Sequence, residues 1–501
     1  MPLSKRILLI EPPFCRLFGA GYALPRYPLA LGYLAGTVQS ETNWDVMAYN
    51  ADFLPNYQPA TAQYLAGPGY EQYLANLRSP SGPVWQEVRA TIADYRPDIV
   101  GISSKTQNFA SAKLVAHAAK DVDRRIIVLL GGPHVSMVGA EVLQCPDIDV
   151  AVRGEGERTI VELLQVIANS GSLNAVDGII FRSNGIVAQT RPRKLISDLD
   201  SLCFPHQSAP TVLKDYKSYP RSAFQSIFAA RGCPFNCAFC GSRYLWTRFV
   251  RRRSVPSVVR EIQLLREAGI TSAHFADDTF GVSKPYIHAL CSALRKDCRG
   301  LEWSCELHVN LVDNEVMHAM KSSGCMAVHV GIESGNNEIL KAIRKGFTIE
   351  KALAATETVK KHGLALHTFF MVGFPQETER SIRDTVTAIK ACNPYCVYYS
   401  IFTPYPGTEA FDTCRAMGLI PDNFDISLYN HQSPANHFCA HIEPLRFREL
   451  AGEVERLVAH LNRRNAILRK FAPRNVSRTV KKIVELGPRE SFRRAVSVLK
   501  H

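Results

Sequence analysis

No run in the 501-residue sequence approaches the 18 or more consecutive apolar residues that a membrane-spanning helix requires. The first apolar stretch, Ile7–Ile10, ends after four residues, too short for a signal peptide and suited to a buried strand. The expectation is a cytoplasmic protein without a transmembrane segment. The composition also lacks the polar bias of disordered chains: 46% of residues are hydrophobic and 21% charged, enough to bury large cores. Nor is there a chain-wide excess of one charge. The formal net charge is +13, but residues 445–501 carry 15 basic and 5 acidic side chains, so most of the surplus is terminal. That distribution argues against a nucleic-acid surface and for a basic C-terminal appendage. Fourteen cysteines in such a compartment are expected to be mostly free thiols. Eleven are scattered and three are clustered.

Through about residue 200, short apolar segments alternate with helical ones. Arg6–Ile10, Asp45–Tyr49, Asp98–Ser103, Ile126–Leu130 and Asp149–Val152 read as strands, with Ala110–Lys120 and Glu157–Ala168 among the helices between them. The alternation predicts a doubly wound, Rossmann-like parallel sheet. Such sheets bind ligands beyond the carboxyl ends of their strands. Those ends are Glu11-Pro12-Pro13, Ser103-Ser104-Lys105-Thr106, Gly131-Gly132-Pro133-His134 and Arg153-Gly154-Glu155-Gly156-Glu157. Glycines admit a flat or phosphate-bearing ligand close to the backbone, and small hydroxyls bond to it. Tight turns with helix caps are the alternative.

The clustered cysteines stand in Ala-Arg231-Gly232-Cys233-Pro-Phe-Asn-Cys237-Ala-Phe239-Cys240-Gly, directly after an apolar strand, Ser226–Ala230. Three thiolates so close in sequence converge on one centre only in an irregular loop, which Gly232 and Pro234 favour. Structural zinc normally takes four protein ligands, and no fourth Cys or His follows at finger-like spacing. Three cysteines instead suit a [4Fe–4S] cluster with one iron left open. Five further strands follow, Ser272–Ala276, Trp303–His308, Ala327–Ile332, Leu364–Val372 and Cys396–Phe402, each separated from the next by a helix-like stretch. With the cluster's own strand they make six βα units. Their ends carry Asp277-Asp278, Glu333-Ser334, Gly373-Phe-Pro-Gln-Glu377 and Tyr405-Pro-Gly-Thr408.

The C-x3-C-x2-C motif, with Phe239 before its last cysteine, resembles the radical S-adenosylmethionine (SAM) superfamily. The resemblance implies a partial (βα)6 TIM-like barrel with Cys233, Cys237 and Cys240 on the cluster. It implies cofactor contacts from Phe239, from Asp277 or Asp278 to the amino group, from Glu333 and Ser334, and from Gly373 and Glu377 beside the adenine. Strand alternation from Ala276 favours Asp277 over Asp278 as the one facing the site. Lys345 is read either as a substrate or cofactor contact or as a solvated helix-end residue. Pro28–Ala35, Gly131-Gly132-Pro133-His134 and Gly154–Glu157 resemble the cobalamin-binding domain that precedes many radical enzymes. That resemblance implies cobalamin contacts from Ser103, Ser104, Thr106, Gly131, Gly132, His134, Gly154, Glu155 and Glu157. The Asp-x-His-x-x-Gly loop whose histidine coordinates cobalt in many such domains is missing. Glu11-Pro-Pro-Phe-Cys-Arg stands in its place, with His134 as the other histidine to consider.

Together the resemblances point to a cobalamin-dependent radical SAM enzyme, most closely a methyltransferase acting on unactivated carbon or phosphorus of a small-molecule substrate. Rival readings are a radical cyclase of the anaerobic magnesium-protoporphyrin type and a transfer-RNA methylthiotransferase. An electron donor such as flavodoxin or ferredoxin is implied. The expected organisation is a cobalamin domain over 1–200, a radical SAM barrel over 201–440 and a helical segment over 441–501. Pro473 and Gly487-Pro488 would divide that last segment into about three helices. Those helices either cover the barrel's open edge or meet an acidic surface or partner.

Overall fold

A computed structural model describes residues 5–58, 62–431 and 433–470. Five N-terminal strands form a parallel sheet: β1 (Arg6–Glu11), β2 (Asp45–Asn50), β3 (Ile99–Ser103), β4 (Ile127–Gly131) and β5 (Val150–Val152). Their order is β2-β1-β3-β4-β5, with register pairs such as Ile7–Val46 and Ile7–Ile99. Helices flank both faces, so Ile7 to Ile10 are all buried rather than alternating. The helix Glu157–Ala168 forms as expected, and Ala110–Lys120 lies within Phe109–Val122. One feature corrects the parallel reading. β6 (Ile179–Ser183) and β7 (Ile186–Gln189) add an antiparallel hairpin beyond β5. Its two-residue turn is Asn184-Gly185, both at positive φ, a strong short hairpin signal that the helix–strand alternation had overshadowed.

The second sheet has six parallel strands: β8 (Ser226–Ile227), β11 (Ser272–Phe280), β12 (Glu302–Leu307), β13 (Cys325–Glu333), β14 (Ala365–Val372) and β15 (Cys396–Ile401), in the order β15-β14-β13-β12-β11-β8. The expected strand Ser226–Ala230 is broken in two. Its second piece, β9 (Ala230–Arg231), leaves the barrel and pairs antiparallel with β10 (Arg251–Arg252). The cysteine loop is thereby tied at both ends. Along β11 to β14 one residue set is buried under the outer helices, for example Phe275, Cys305, Val328 and Leu366. The other, including His274, Ser304, Glu306, His329 and His367, faces a partly open interior.

The helix Pro444–Lys470 closes the β15 edge. The Asn462 amide donates to the Val397 carbonyl and accepts from its N–H, both at 2.8 Å, and Asn465 donates to the Pro394 carbonyl at 2.7 Å. The edge-covering reading therefore holds through Lys470, while the breaks expected at Pro473 and Gly487-Pro488 lie outside the described residues. Among the described residues no helix is long and apolar enough to cross a membrane.

Candidate functional site

Gly232 opens the cysteine loop at φ 101°, and a side chain there would collide with the Phe249 carbonyl. Cys233, Cys237 and Cys240 are free and half-buried. Burial pushes Cys233 up to about 11 and Cys240 up to about 12, reinforced by Asp278 and by their neighbouring thiols, while Lys345 draws Cys233 down. Three thiols raised chiefly by burial, two of them also by neighbouring thiols, form a site that a bound cation would relieve. Among the described residues no three His, Cys, Asp or Glu side chains are gathered as ligands of a single ion. The loop therefore presents separate thiols rather than a preformed tetrahedral pocket.

Around the loop the barrel ends sort into facing and bracing groups. Asp277 is buried, its carboxylate accepts the Ala229 N–H at 2.8 Å, and burial lifts it to about 7. It braces β11 against the cluster's strand. The inward positions of β11 are His274, Ala276 and Asp278, so Asp278 rather than Asp277 meets the cysteines, a correction to the alternation reading. Glu333 adopts φ 71°, an uncommon left-handed conformation for a non-glycine residue, and receives the Lys345 ammonium at 3.1 Å. Lys345 is buried, not a solvated helix end. Against the pull of burial, Glu333 and the Cys237 and Cys240 thiols keep it charged. Phe239 lies 5.9 Å from the Phe374 ring and the same distance from the Lys345 ammonium.

Two residues expected as contacts are buried and bonded to the protein itself. Ser334 is wholly buried, 3.3 Å from the Thr385 hydroxyl, and accepts the Asn336 N–H. Glu377 is also wholly buried, and its carboxylate accepts the Gly373 N–H, bracing the Gly-Phe-Pro turn; burial pushes it up to about 8. Gly373 itself, at φ 102°, leaves only backbone at the turn.

A cavity of ≈ 480 Å³ separates the N-terminal strand ends from the barrel's inner wall. Glu11, Ser103, Gly131, Gly132, Gly154 and Gly156 line one side, and Phe228, His274, Ala276 and Glu306 the other. A Cβ on Gly132 would strike the Ser104 backbone at 2.6 Å, so that turn requires glycine. Three expected contacts turn away from the cavity. The Ser104 hydroxyl, in a fully buried side chain, donates to the Lys105 carbonyl. Thr106 meets the His134 Nδ1 at 3.1 Å, and His134 packs on Phe109 with burial lowering it to about 4. No histidine lies on the N-terminal wall of the cavity among its lining residues.

Glu155 and Glu157 do border the cavity, yet their carboxylates are committed elsewhere. Arg231 reaches Glu155 at 2.7 Å and Glu157 at 2.6 Å, and Arg251 reaches Glu155 at 2.7 Å, all almost wholly buried. The Arg231 guanidinium also stands 5.1 Å from the rings of both Tyr33 and Trp246. This clamp joins the Gly-Glu-Gly-Glu turn to β9 and β10, which bracket the cysteine loop. Sequence reading missed both arginines, although their places flanking the motif were the available signal. Gly407 packs under the same junction, where a Cβ would meet the Met137 carbonyl at 2.6 Å.

The radical SAM superfamily profile matches residues 227–389, and the B12 binding domain profile matches 59–164. An uncharacterised methyltransferase of Pyrococcus horikoshii is 31% identical over 83% of this chain and 84% of its own length. Cytidylyl-2-hydroxyethylphosphonate methyltransferase of Streptomyces wedmorensis is 28% identical over 83% of each chain. An anaerobic magnesium-protoporphyrin IX monomethyl ester cyclase of Rubrivivax gelatinosus is 28% identical over 77% of this chain and 70% of its own. Among solved structures, the radical SAM methyltransferase TsrM of Kitasatospora setae, with cobalamin and a [4Fe–4S] cluster bound, shares the fold at TM-score 0.64 and 18% identity, over 83% of this chain and 76% of that one. With both domains matched in one chain and a relative of that identity along most of its length, this protein belongs to the cobalamin-binding family of radical SAM enzymes.

Proposed function

We propose that this enzyme transfers a methyl group to an unactivated carbon or phosphorus of a small molecule. The observation that carries the reading is the shared cavity, whose glycine-lined floor on the N-terminal strand ends faces the inner wall of the barrel that carries the cysteine loop. The bare backbone that Gly131, Gly132, Gly154 and Gly156 present along that floor fits a flat ligand such as a corrin, and three free thiols in one loop fit a cluster. Bound there, the cluster would supply the electron that opens the SAM sulfonium, and cobalamin would supply the methyl carrier. Cys233, Cys237 and Cys240 would hold three irons. Asp278 and the Glu333–Lys345 pair would offer opposite charges to the amino and carboxylate groups of SAM, with Phe239 and the Gly373 turn completing the contacts. The wall glycines would carry the corrin. The buried Arg231 and Arg251 clamp keeps the two sites at fixed separation, which is the positioning that radical transfer requires. An external electron donor of the flavodoxin or ferredoxin class completes the system.

The names of the Pyrococcus and Streptomyces relatives support methyl transfer, and that of the Rubrivivax relative supports ring formation. Product stoichiometry separates them. Incubation of the reconstituted enzyme with SAM and a reductant, screened against candidate substrates, should release S-adenosylhomocysteine and 5′-deoxyadenosine in equal amounts with each methylated product. Substrate turnover with 5′-deoxyadenosine alone would replace methyl transfer by the cyclase or oxidative reading.

A further inference from the structure

Two charged side chains face the cavity and are used by nothing described above. Glu306 lies on the inward face of β12, half-buried, register-paired with His329 of β13. Arg26, an exposed side chain at the cavity rim, approaches from the N-terminal domain on the loop preceding the helix Leu29–Glu41. Among the described residues neither side chain makes an ion pair, and neither donates or accepts a hydrogen bond. Glu306 lines the cavity on the barrel side, with Arg26 among the lining residues of the N-terminal side. Burial raises its pKa, Asp278 and Glu333 on the cysteine side raise it further, and Arg26 pulls it down from across the cavity. Two histidines and a lysine stand near it on the barrel side. Burial lowers His274, and it lowers His329 to about 3, so both are neutral imidazoles. Lys345 is already engaged by Glu333. A carboxylate in a partly desolvated cavity with no ion-pair partner among the described residues is a costly arrangement unless it takes up a proton or a ligand supplies a cation.

We infer that Arg26 and Glu306 are the two poles of the substrate subsite, and that the substrate is a small zwitterion bearing an anionic group and, several bonds away, an ammonium group. The inference rests on the cofactor assignment above, because it places substrate between the cysteine loop and the glycine floor. The guanidinium suits a carboxylate, phosphate or phosphonate through a forked pair of hydrogen bonds. Glu306 receives the ammonium. His274 and Ser304, 2.9 Å apart on the same wall, offer neutral polar surface between the poles.

The test uses holoenzyme carrying both cofactors and ligand-observed NMR titration. The probes are γ-aminobutyrate, δ-aminovalerate and ε-aminocaproate, set against caproate and hexylamine as single-charge controls. At least one ω-amino acid should bind about tenfold more tightly than either control, the gain expected of one added charge-assisted hydrogen bond. Glu306→Gln should erase that advantage over caproate, and Arg26→Gln the advantage over hexylamine, with iron and corrin content unchanged in both. Equal binding of zwitterions and controls, no binding of any probe, or unaltered selectivity in the variants would overturn the inference. So would loss of corrin from Arg26→Gln or of SAM affinity from Glu306→Gln, since the residues would then serve the cofactors. Failure of the wild-type enzyme to retain corrin or cluster is a different result, which overturns the functional reading itself.

Discussion

At the scale of single residues, chemistry-bearing side chains divide into those that face the cavity and those that brace it. Cys233, Cys237 and Cys240 have no neighbouring thiol in the loop to replace them. Replacing any one by alanine should abolish the visible absorbance and the EPR signal of a reconstituted cluster, whereas Cys291→Ala and Cys298→Ala, which remove buried core thiols, should leave both intact. Glu377 gives a pH prediction. Its folded pKa of about 8 lies above the ordinary carboxylate value, so the folded state binds a proton more tightly than the unfolded chain. Its contribution to stability is therefore full below about pH 4.5 and is lost as pH rises through 8, at no more than about 1.4 kcal/mol per pH unit. Glu377→Gln should flatten the decline in melting temperature between pH 5 and 8. An equal decline in variant and wild type would assign the slope to other groups. The cysteine motif was legible because ligand spacing is local in sequence. The choice between Asp277 and Asp278 was not, because it depends on which face of β11 the outer helices cover. The commitment of Glu155 and Glu157 to Arg231 and Arg251 was hidden for a related reason, since the partners lie 74 to 96 residues away.

At the scale of elements, hydropathy periodicity located nearly every strand and helix near the site. It failed where hydrogen bonding rather than burial sets the boundary. The segment Ser226–Arg231 is continuously apolar apart from its ends, but it divides into β8 and β9 because Ala230 and Arg231 pair with β10. Likewise, the apolar pattern after Leu445 indicated a helix, while its docking on the β15 edge depends on two polar residues. One Asn462 amide satisfies both backbone groups of Val397 on that exposed edge. Asn462→Ala leaves that donor and acceptor unpaired and should cost about 1–3 kcal/mol in denaturant unfolding. Asn462→Asp, which retains only an acceptor, should recover part of the loss. A neutral alanine variant would mean that apolar contacts alone, such as those of Val454 and Val458, hold the helix.

At the scale of the whole molecule, two α/β units are joined by a junction that is itself buried and charged. Removing one partner from such a network leaves an uncompensated charge, so Arg251→Met should destabilise the protein by about 3–5 kcal/mol. It should also lower corrin retention more than iron content, since Arg251 holds Glu155 of the turn beside the corrin floor while the backbone pairing of β9 with β10 still ties the cysteine loop. Retained corrin at wild-type stability would show that the clamp is dispensable. The two-domain architecture was readable from the order of motifs along the chain. The cavity between the domains was not, because it is made by surfaces brought together only on folding.

The central claim is that the cysteine loop holds a cluster close to a corrin carried by the glycine floor of the neighbouring cavity. EPR spectroscopy of anaerobic enzyme carrying both the reduced [4Fe–4S] cluster and cob(II)alamin tests it most directly, compared with enzyme holding each alone. Close approach of the two groups predicts dipolar broadening and faster relaxation of both signals in the doubly loaded sample. Two spectra that simply add, or a cluster signal with no corrin retained, would contradict the account.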